Sequence, residues 1–145
     1  MIKNVIVASG AVIIKEGKVF LNKHGEDKFW KFLGGKVEER DFSNSEMSLE
    51  EACRREVKEE NGFDIEIISP LKPMMVPKPG SEDTYVVLIH FLAKKIGEIK
   101  PGDIDEFREF EIEKILNGEY GEEFAPNILP VLKSYLGMKK AGLIK

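Results

Sequence analysis

Three glutamates, Glu56, Glu59 and Glu60, are the side chains of this 145-residue chain best suited to chemistry. They lie on a predicted helix within the run Arg55-Glu56-x-x-Glu59-Glu60-x-Gly62. Each helical residue advances about 100°, so the acids project at about 340°, 280° and 20° when Leu49 is set at zero. The apolar residues that project onto the same arc are Ala52, Cys53 and Val57. The acids therefore point where the core residues point, and three carboxylates are expected at one site.

A carboxylate cluster of this kind requires a positive charge nearby. Like charges three or four residues apart on a helix repel by about 0.2–0.5 kcal/mol even when exposed, and the penalty grows as water is excluded. Oxygen ligands without neighbouring Cys or His favour Mg²⁺ or Mn²⁺ over Zn²⁺. Because Mg²⁺ usually completes its shell with waters and substrate phosphates, the cluster predicts a site for diphosphate chemistry.

Local signals predict the elements that position these acids. The helix is expected from about residue 49 to 61, with Ser48 and Glu51 forming a capping box and Gly62 supplying a left-handed stop. The glycine pair at 34–35 is expected in a loop whose backbone can approach the site closely, because glycine has no side chain to block that approach.

Hydrophobic periodicity outlines the rest of the chain. Strands are expected at residues 3–14, 18–23, 28–33, 84–93 and 107–112, an apolar stretch spans 63–69, and helices are expected at 113–117 and 126–136. The proline-rich segment at 70–79 is expected to be a surface loop.

The glycine pair and the acidic helix together resemble the signature of the Nudix hydrolases, including the MutT-like members. The pattern of that family ends Arg-Glu-aliphatic-x-Glu-Glu-x-Gly-apolar, and residues 55–63 match it at every specified position. The segment Trp30-Lys31-Phe32, just before the glycine pair, extends the resemblance towards the N-terminus. The resemblance therefore covers most of the chain. The resemblance implies an α/β fold, a mixed β-sheet sandwiched between helices, with residues 1–145 as a single Nudix domain.

The chain departs from the family pattern in the loop after the glycine pair. Met47 occupies the position, eight residues before Arg55, where relatives usually have glutamate, and the loop that precedes it is six residues longer. Residues 40–45 are the expected insertion, and Glu46 is expected to replace the missing carboxylate. Arg55 projects away from the acids at about 240°. By resemblance it has a structural role, in which it pairs with a carboxylate of the signature and so holds the signature loop.

The resemblance also implies a role for each site residue. Glu56, Glu59 and Glu60 are expected to bind Mg²⁺ with the backbone carbonyl of Gly34, while water attacks phosphorus. Family members recruit the general base from the helix or from a later loop, so Glu56 is the first candidate. Glu106 is the second, as a residue that binds metal or orients water, or else as a solvated loop charge. The residues expected to support the signature are Gly35, Arg55 and Gly62.

The substrate implied by the resemblance is a nucleoside diphosphate linked to another moiety. ADP-ribose, dinucleoside polyphosphates and nucleoside triphosphates all remain open. Lys36 is a candidate to meet phosphate, and Trp30 and Tyr85 are candidates to stack on a base, although a place in the wall or core suits both rings equally. The alternative function is a non-catalytic nucleotide-sensing or partner-binding module, for which Met47 and the longer loop are the support.

Composition limits the remaining possibilities. With 22 basic and 26 acidic side chains the net charge is −4, which argues against binding to long nucleic acids. The single cysteine, Cys53, cannot form a disulfide within the chain, and a cytoplasmic location is expected. The apolar segment 5–14 is too short to span a bilayer. The expected partner is a nucleotide-derived small molecule, and either a monomer or a homodimer is compatible with the sequence.

Overall fold

The computed structural model describes residues 1–43, 46–97 and 106–144, without the side chain of Glu106. Within these ranges the strands are β1 (Asn4–Lys15), β2 (Lys18–Lys23), β3 (Leu33–Lys36), β4 (Asp64–Pro70), β5 (Met74–Pro77), β6 (Thr84–Ile96) and β7 (Glu106–Glu111). The helices are α1 (Ser48–Asn61), α2 (Ile112–Leu116) and α3 (Ile128–Lys140), and a 3-10 turn spans Glu39–Ser43. No helix within the described ranges is both long and apolar enough to cross a bilayer.

Strand β1 organises the mixed sheet, whose main path runs β4-β6-β1-β2-β7. It pairs in parallel with β6, from Asn4 opposite Thr84 to Ile13 opposite Ala93. On its other edge β1 pairs antiparallel first with β3 and then, by its last two residues, with β2. The short strand β3, which carries the glycine pair, is therefore fixed directly against the central strand.

The core forms two layers, one on each face of the sheet. Alternate side chains of β1 divide between them, because successive residues of a strand point to opposite faces. Ala11 and Ile13 pack in a cluster with α1, and Val12 packs in a cluster with α2 and α3. This arrangement confirms the predicted α/β/α sandwich.

Cys53 lies in the α1 layer of the core. Its side chain is completely buried, and burial raises the pKa of the thiol to about 12. The group therefore stays a neutral thiol at physiological pH and serves as a small apolar side chain.

The structure differs from the prediction in two respects around residues 28–35. Residues 28–33 were expected to form a strand, but Trp30 and Lys31 make only isolated bridges, to Phe124 and Asn22 respectively. Because those partners lie on different segments, no continuous ladder forms before Leu33. The glycine pair, expected in a loop, instead lies within β3.

The expected loop at 70–79 contains strand β5, which pairs with β6 from Met74 opposite Leu88 to Pro77 opposite Tyr85. Pro77 has no N–H to donate, and this is tolerated because β5 pairs on one side only among the described strands. Helix α3 starts two residues later than predicted and extends to Lys140.

Helix α1 agrees with its predicted limits but not with its predicted N-cap. Ser48 is already the first helical residue, and the N-cap residue Met47 makes no side-chain capping bond, so the capping box is wrong. At the other end, the left-handed stop is confirmed. Gly62 has φ 78° and donates its N–H to the Lys58 carbonyl at 3.0 Å.

Two glycine substitutions of opposite expected sign test this account of the helices. Gly62→Ala should lower the free energy of unfolding by about 1 kcal/mol, because a Cβ disfavours the left-handed backbone. Gly137→Ala, at an exposed position inside α3 with open space around its Cα, should raise it by up to about 1 kcal/mol. Urea unfolding of both variants measures the pair, and equal shifts of the same sign would contradict the assignment.

Candidate active site

The guanidinium of Arg55, on α1, makes most of the hydrogen bonds described for the candidate site. Its Nε donates to Asp41 Oδ1 at 2.7 Å and its Nη2 donates to Asp41 Oδ2 at 2.9 Å, which makes a two-point ion pair. Asp41 is only 3% exposed and Arg55 only 15% exposed. The hydrogen bond from Arg55 lowers the pKa of Asp41, and the same bond raises the pKa of Arg55. Arg55 therefore ties the loop after β3 to the helix with both groups charged.

The same guanidinium also binds two of the helix acids. Arg55 Nη1 donates to Glu56 Oε1 at 3.0 Å and to Glu59 Oε2 at 3.2 Å. The predicted direction of Arg55, away from the acids, is therefore wrong, because its long side chain bends back across the helix surface. Arg40 Nη2 adds a second contact to Glu59 Oε1 at 2.9 Å.

Glu56 is the more enclosed of these two glutamates. Its side chain is 12% exposed, against 43% for Glu59. A Cβ built on Gly35 would lie 2.6 Å from the Glu56 carboxylate, so any larger residue there would displace the carboxylate from its present position. Gly34 has φ 137°, and a Cβ there would come within 2.7 Å of the Gly10 Cα. The glycine pair thus lets the strand backbone pack directly against β1 and against the Glu56 carboxylate.

The carboxylate oxygens of the site suit a hard cation such as Mg²⁺, with the protein supplying only some of its ligands. Among the described residues, no three acidic, histidine or cysteine side chains converge on one cation position. The predicted convergence of three carboxylates is therefore not present in this structure, where guanidinium groups contact Glu56 and Glu59. Mg²⁺ needs only one or two carboxylates when waters and substrate phosphates complete its shell. The donors present fit that requirement.

A cavity of about 560 Å³ adjoins the glycine pair. Gly34, Gly35 and Glu60 line one part of it. Its walls are mainly apolar and include Phe29, Phe32, Val76, Pro77 and Leu88. Its polar lining includes Asn22, Lys31, His90 and Asn127. A mainly apolar concavity of this size with a few polar groups is typical of a small-molecule site.

The predicted substrate contacts are placed less favourably. Trp30 is 4% exposed within the core, its indole N–H lies 3.2 Å from Glu122 Oε2, and it does not line the cavity. Tyr85 on β6 and Lys36 at the end of β3 are also absent from the cavity lining. The backbone carbonyl of Lys36 accepts from Arg55 Nη2 at 3.1 Å. These positions do not support stacking by Trp30 or Tyr85.

The remaining predictions concern Glu106 and Glu46. Glu106 begins β7, and its backbone pairs with Lys23 of β2. Its side chain and residues 98–105 lie outside the described part of the chain, so its catalytic role stays a prediction. The replacement of the missing carboxylate by Glu46 also stays a prediction, although it is Asp41 that contacts Arg55.

Sequence reasoning missed four polar residues, Asp41, Asn22, His90 and Asn127. Asp41 had a signal, since the inserted loop needed a carboxylate for Arg55. His90 and Asn22 had a weaker one, because each is a polar residue inside a largely apolar strand. His90 Nδ1 lies 2.7 Å from the Lys72 carbonyl and Nε2 lies 2.9 Å from Asn127 Nδ2. Burial lowers the pKa of His90.

The Asp41–Arg55 pair gives a testable prediction. Asp41→Asn keeps the shape but removes the charge, and it should lower the free energy of unfolding by about 1–3 kcal/mol at pH 7. Because the pKa of Asp41 is lowered in the folded protein, its ionised form stabilises the fold above the unfolded pKa of about 3.9. The difference between wild type and Asp41→Asn should therefore shrink as the pH falls below about 4.

Urea unfolding at a series of pH values measures this difference. Glu39→Gln is the matched control, since Glu39 is an exposed acid two residues away, and its effect should stay within about 0.5 kcal/mol. Equal stability of wild type and Asp41→Asn at pH 7 would rule out the pair as a tie between loop and helix.

Solved structures with this fold come from several sources. A MutT protein from Methanosarcina mazei Go1 superposes with a TM-score of 0.75 and 23% identity, over 95% of this chain and 97% of that one. The E. coli ORF135 protein gives 0.74 and 21%, over 95% and 93%. A UDP-X diphosphatase gives 0.71 and 17%, over 94% of this chain and 66% of that one. At these identities the superpositions establish a shared fold.

Family membership follows from the sequence itself. No curated protein matches the chain significantly. The family model described as the NUDIX domain matches residues 5–132, which include the glycine pair, the acidic helix and the strands that hold them. The chain therefore belongs to the Nudix family and is a hydrolase that acts on pyrophosphate bonds.

Proposed function

We propose that this protein is a Mg²⁺-dependent pyrophosphohydrolase acting on a nucleoside diphosphate linked to another moiety. The observation that carries the proposal is that Gly35 lies against the enclosed Glu56 carboxylate and also lines the cavity, together with Gly34 and Glu60. A substrate in the cavity would therefore have its diphosphate beside the helix acids.

The residues proposed to hold the metal are Glu56, Glu59 and Glu60, with the Gly34 backbone carbonyl. When bound, Mg²⁺ or Mn²⁺ would neutralise charge on the bridging phosphates and lower the pKa of a water. Arg55 supports this proposal because it restrains Glu56 and Glu59 from one side while Asp41 restrains Arg55. The three carboxylates would have to converge when a metal binds, because no three acidic side chains of the described residues share one cation position in this structure.

Glu56 is proposed as the general base. In the proposed step, water attacks phosphorus, the anhydride P–O bond breaks, and a Glu56 oxygen takes the water proton. Its low exposure supports this assignment, since a proton acceptor shielded from bulk water holds a defined position. Glu106 is proposed as the second acid, and its backbone pairs with Lys23, next to the cavity residue Asn22.

The proposed substrate class is consistent with the printed name of one structural neighbour. A UDP-X diphosphatase is by its name an enzyme for a nucleoside diphosphate that carries a further group. MutT-named neighbours share the same fold. We propose a nucleotide-derived small molecule as the substrate of this chain, acted on in the cytoplasm by one Nudix domain as a monomer or homodimer.

The decisive variant for this proposal is Glu56→Gln. It preserves the side-chain volume and an acceptor for Arg55 but removes the basic carboxylate, so kcat should fall by about 10²–10⁴-fold. The measurement is Mg²⁺-dependent product release from a panel of ADP-ribose, dinucleoside polyphosphates and nucleoside triphosphates, with products identified by mass. Glu50→Gln on the same helix is the control and should retain wild-type turnover. Wild-type turnover by Glu56→Gln would remove Glu56 from the reaction.

A second variant addresses Glu106. Glu106→Gln should slow turnover roughly 10-fold or more while Mn²⁺ binding, followed by titration, stays unchanged. Glu109→Gln, an exposed acid on the same strand, should behave as wild type. If Glu106→Gln also has wild-type kinetics, Glu106 is a solvated charge without a catalytic role.

A further inference from the structure

Arg40, in the longer loop after β3, contacts an acid of helix α1 through an exposed side chain. Its Nη2 donates to Glu59 Oε1 at 2.9 Å, and its Nε donates to Glu38 Oε2 at 2.7 Å. The Arg40 side chain is 58% exposed, and those of Glu38 and Glu59 are 46% and 43% exposed. Ion pairs between groups this exposed are weak, and the loss of one changes an equilibrium constant by at most about fivefold. Arg40 therefore contacts the Glu59 carboxylate without being fixed to it.

The other guanidinium at Glu59 is held much more firmly. Arg55 is 15% exposed, and it binds the buried Asp41 at two points. Separating a buried pair is costly, because each partner is left as an uncompensated charge. Of the two arginines that contact Glu59 in the described ranges, Arg40 is thus the one that a competing cation can displace.

The backbone around Arg40 is fixed although its side chain is not. Asp41 Oδ2 accepts from the Glu38 N–H at 2.8 Å, and the Asp41 N–H donates to the Glu38 carbonyl at 2.9 Å. These two bonds join the residues on either side of Arg40. An arginine side chain has many accessible rotamers. Arg40 can therefore exchange one partner for another by side-chain rotation while the loop stays in place.

The charges in this network favour a phosphate as the next partner of Arg40. In the described part of the chain, the carboxylates that contact the two arginines are those of Glu38, Asp41, Glu56 and Glu59. Four negative and two positive charges leave an excess of two negative charges, which matches one divalent ion. A substrate diphosphate then adds negative charge again. Because a guanidinium binds phosphate oxygens through two parallel hydrogen bonds, Arg40 can neutralise that charge.

We propose that Arg40 is a phosphate-binding residue, which Glu59 and Glu38 hold beside the active site until a divalent ion binds at Glu59. The proposal rests on the proposed function for the identity of the bound group as a diphosphate. It gives the longer loop a part in substrate binding, in addition to the structural part that Asp41 has. Arg40 takes no part in the proton transfer assigned to Glu56.

The test variant is Arg40→Gln, which removes the charge and keeps a polar side chain. Arg54→Gln is the matched control. Arg54 is an arginine of α1 that donates to Glu51 at 2.9 Å, and Glu51 is not a proposed metal ligand. Both variants change the net charge by the same amount, so any difference between them comes from the position of the charge.

Two binding measurements without turnover should move in opposite directions. Mn²⁺ alone, followed by electron paramagnetic resonance, should bind Arg40→Gln about two- to fivefold more tightly than wild type, because one competing cation has left Glu59. Methylenediphosphonate, a diphosphate analogue with a carbon bridge that cannot be hydrolysed, is then titrated by calorimetry in saturating Mn²⁺. It should bind Arg40→Gln at least about fivefold more weakly, because a charge-assisted contact to phosphate is lost.

The control and the opposite signs make the outcome decisive. Arg54→Gln should stay within about twofold of wild type in both titrations, because a surface charge without contacts to the site is largely screened by salt. Unchanged or weaker Mn²⁺ binding by Arg40→Gln, unchanged diphosphonate binding, or equal shifts in Arg54→Gln would each overturn the proposal. Failure of the proposed function appears separately, as absence of hydrolysis across the nucleotide panel while both affinity shifts persist.

Discussion

The candidate site depends on one cation inside the fold, the guanidinium of Arg55. Its donors bind Asp41 at two points, Glu56, Glu59 and the Lys36 carbonyl, so one planar group connects the inserted loop, strand β3 and helix α1. Lysine could not replace it, since an ammonium lacks the rigid fork that meets a carboxylate at two points. Burial of such a pair contributes little net stability but penalises every arrangement that separates the charges. The ion pair thus acts mainly on geometry.

The glycine pair and Arg55 together allow the Glu56 carboxylate to lie nearly buried against β3. The Glu56 carboxylate lies close to the backbone of β3, and a Cβ on Gly35 would occupy that space. Arg55 supplies the charge that makes a nearly buried carboxylate tolerable. Each residue type in the signature therefore answers a distinct requirement, steric at Gly35, electrostatic at Arg55 and conformational at Gly62.

Features encoded by local periodicity could be predicted from the sequence. Helix α1 and the long strands were located within a few residues because apolar side chains recur with the period of each element. Features that depend on separated segments were missed. Strand β5 was hidden by proline-rich composition, and the direction of Arg55 was misjudged because a helical projection locates Cβ atoms rather than the end of a flexible side chain. The His90–Asn127 pair joins residues 37 positions apart, and no local pattern connects them.

The longer loop after the glycine pair supplies two charged side chains that contact the candidate site. It brings Asp41 to the buried side of Arg55, and it brings Arg40 to the solvent side of Glu59 and Glu38. The Arg40 contacts join exposed groups, and such pairs contribute at most about 1 kcal/mol to stability. Their main effect is therefore local. Among the described residues, two guanidinium groups contact Glu59 and Arg55 alone contacts Glu56. Any cation that binds at this site must therefore compete with more positive charge at Glu59 than at Glu56.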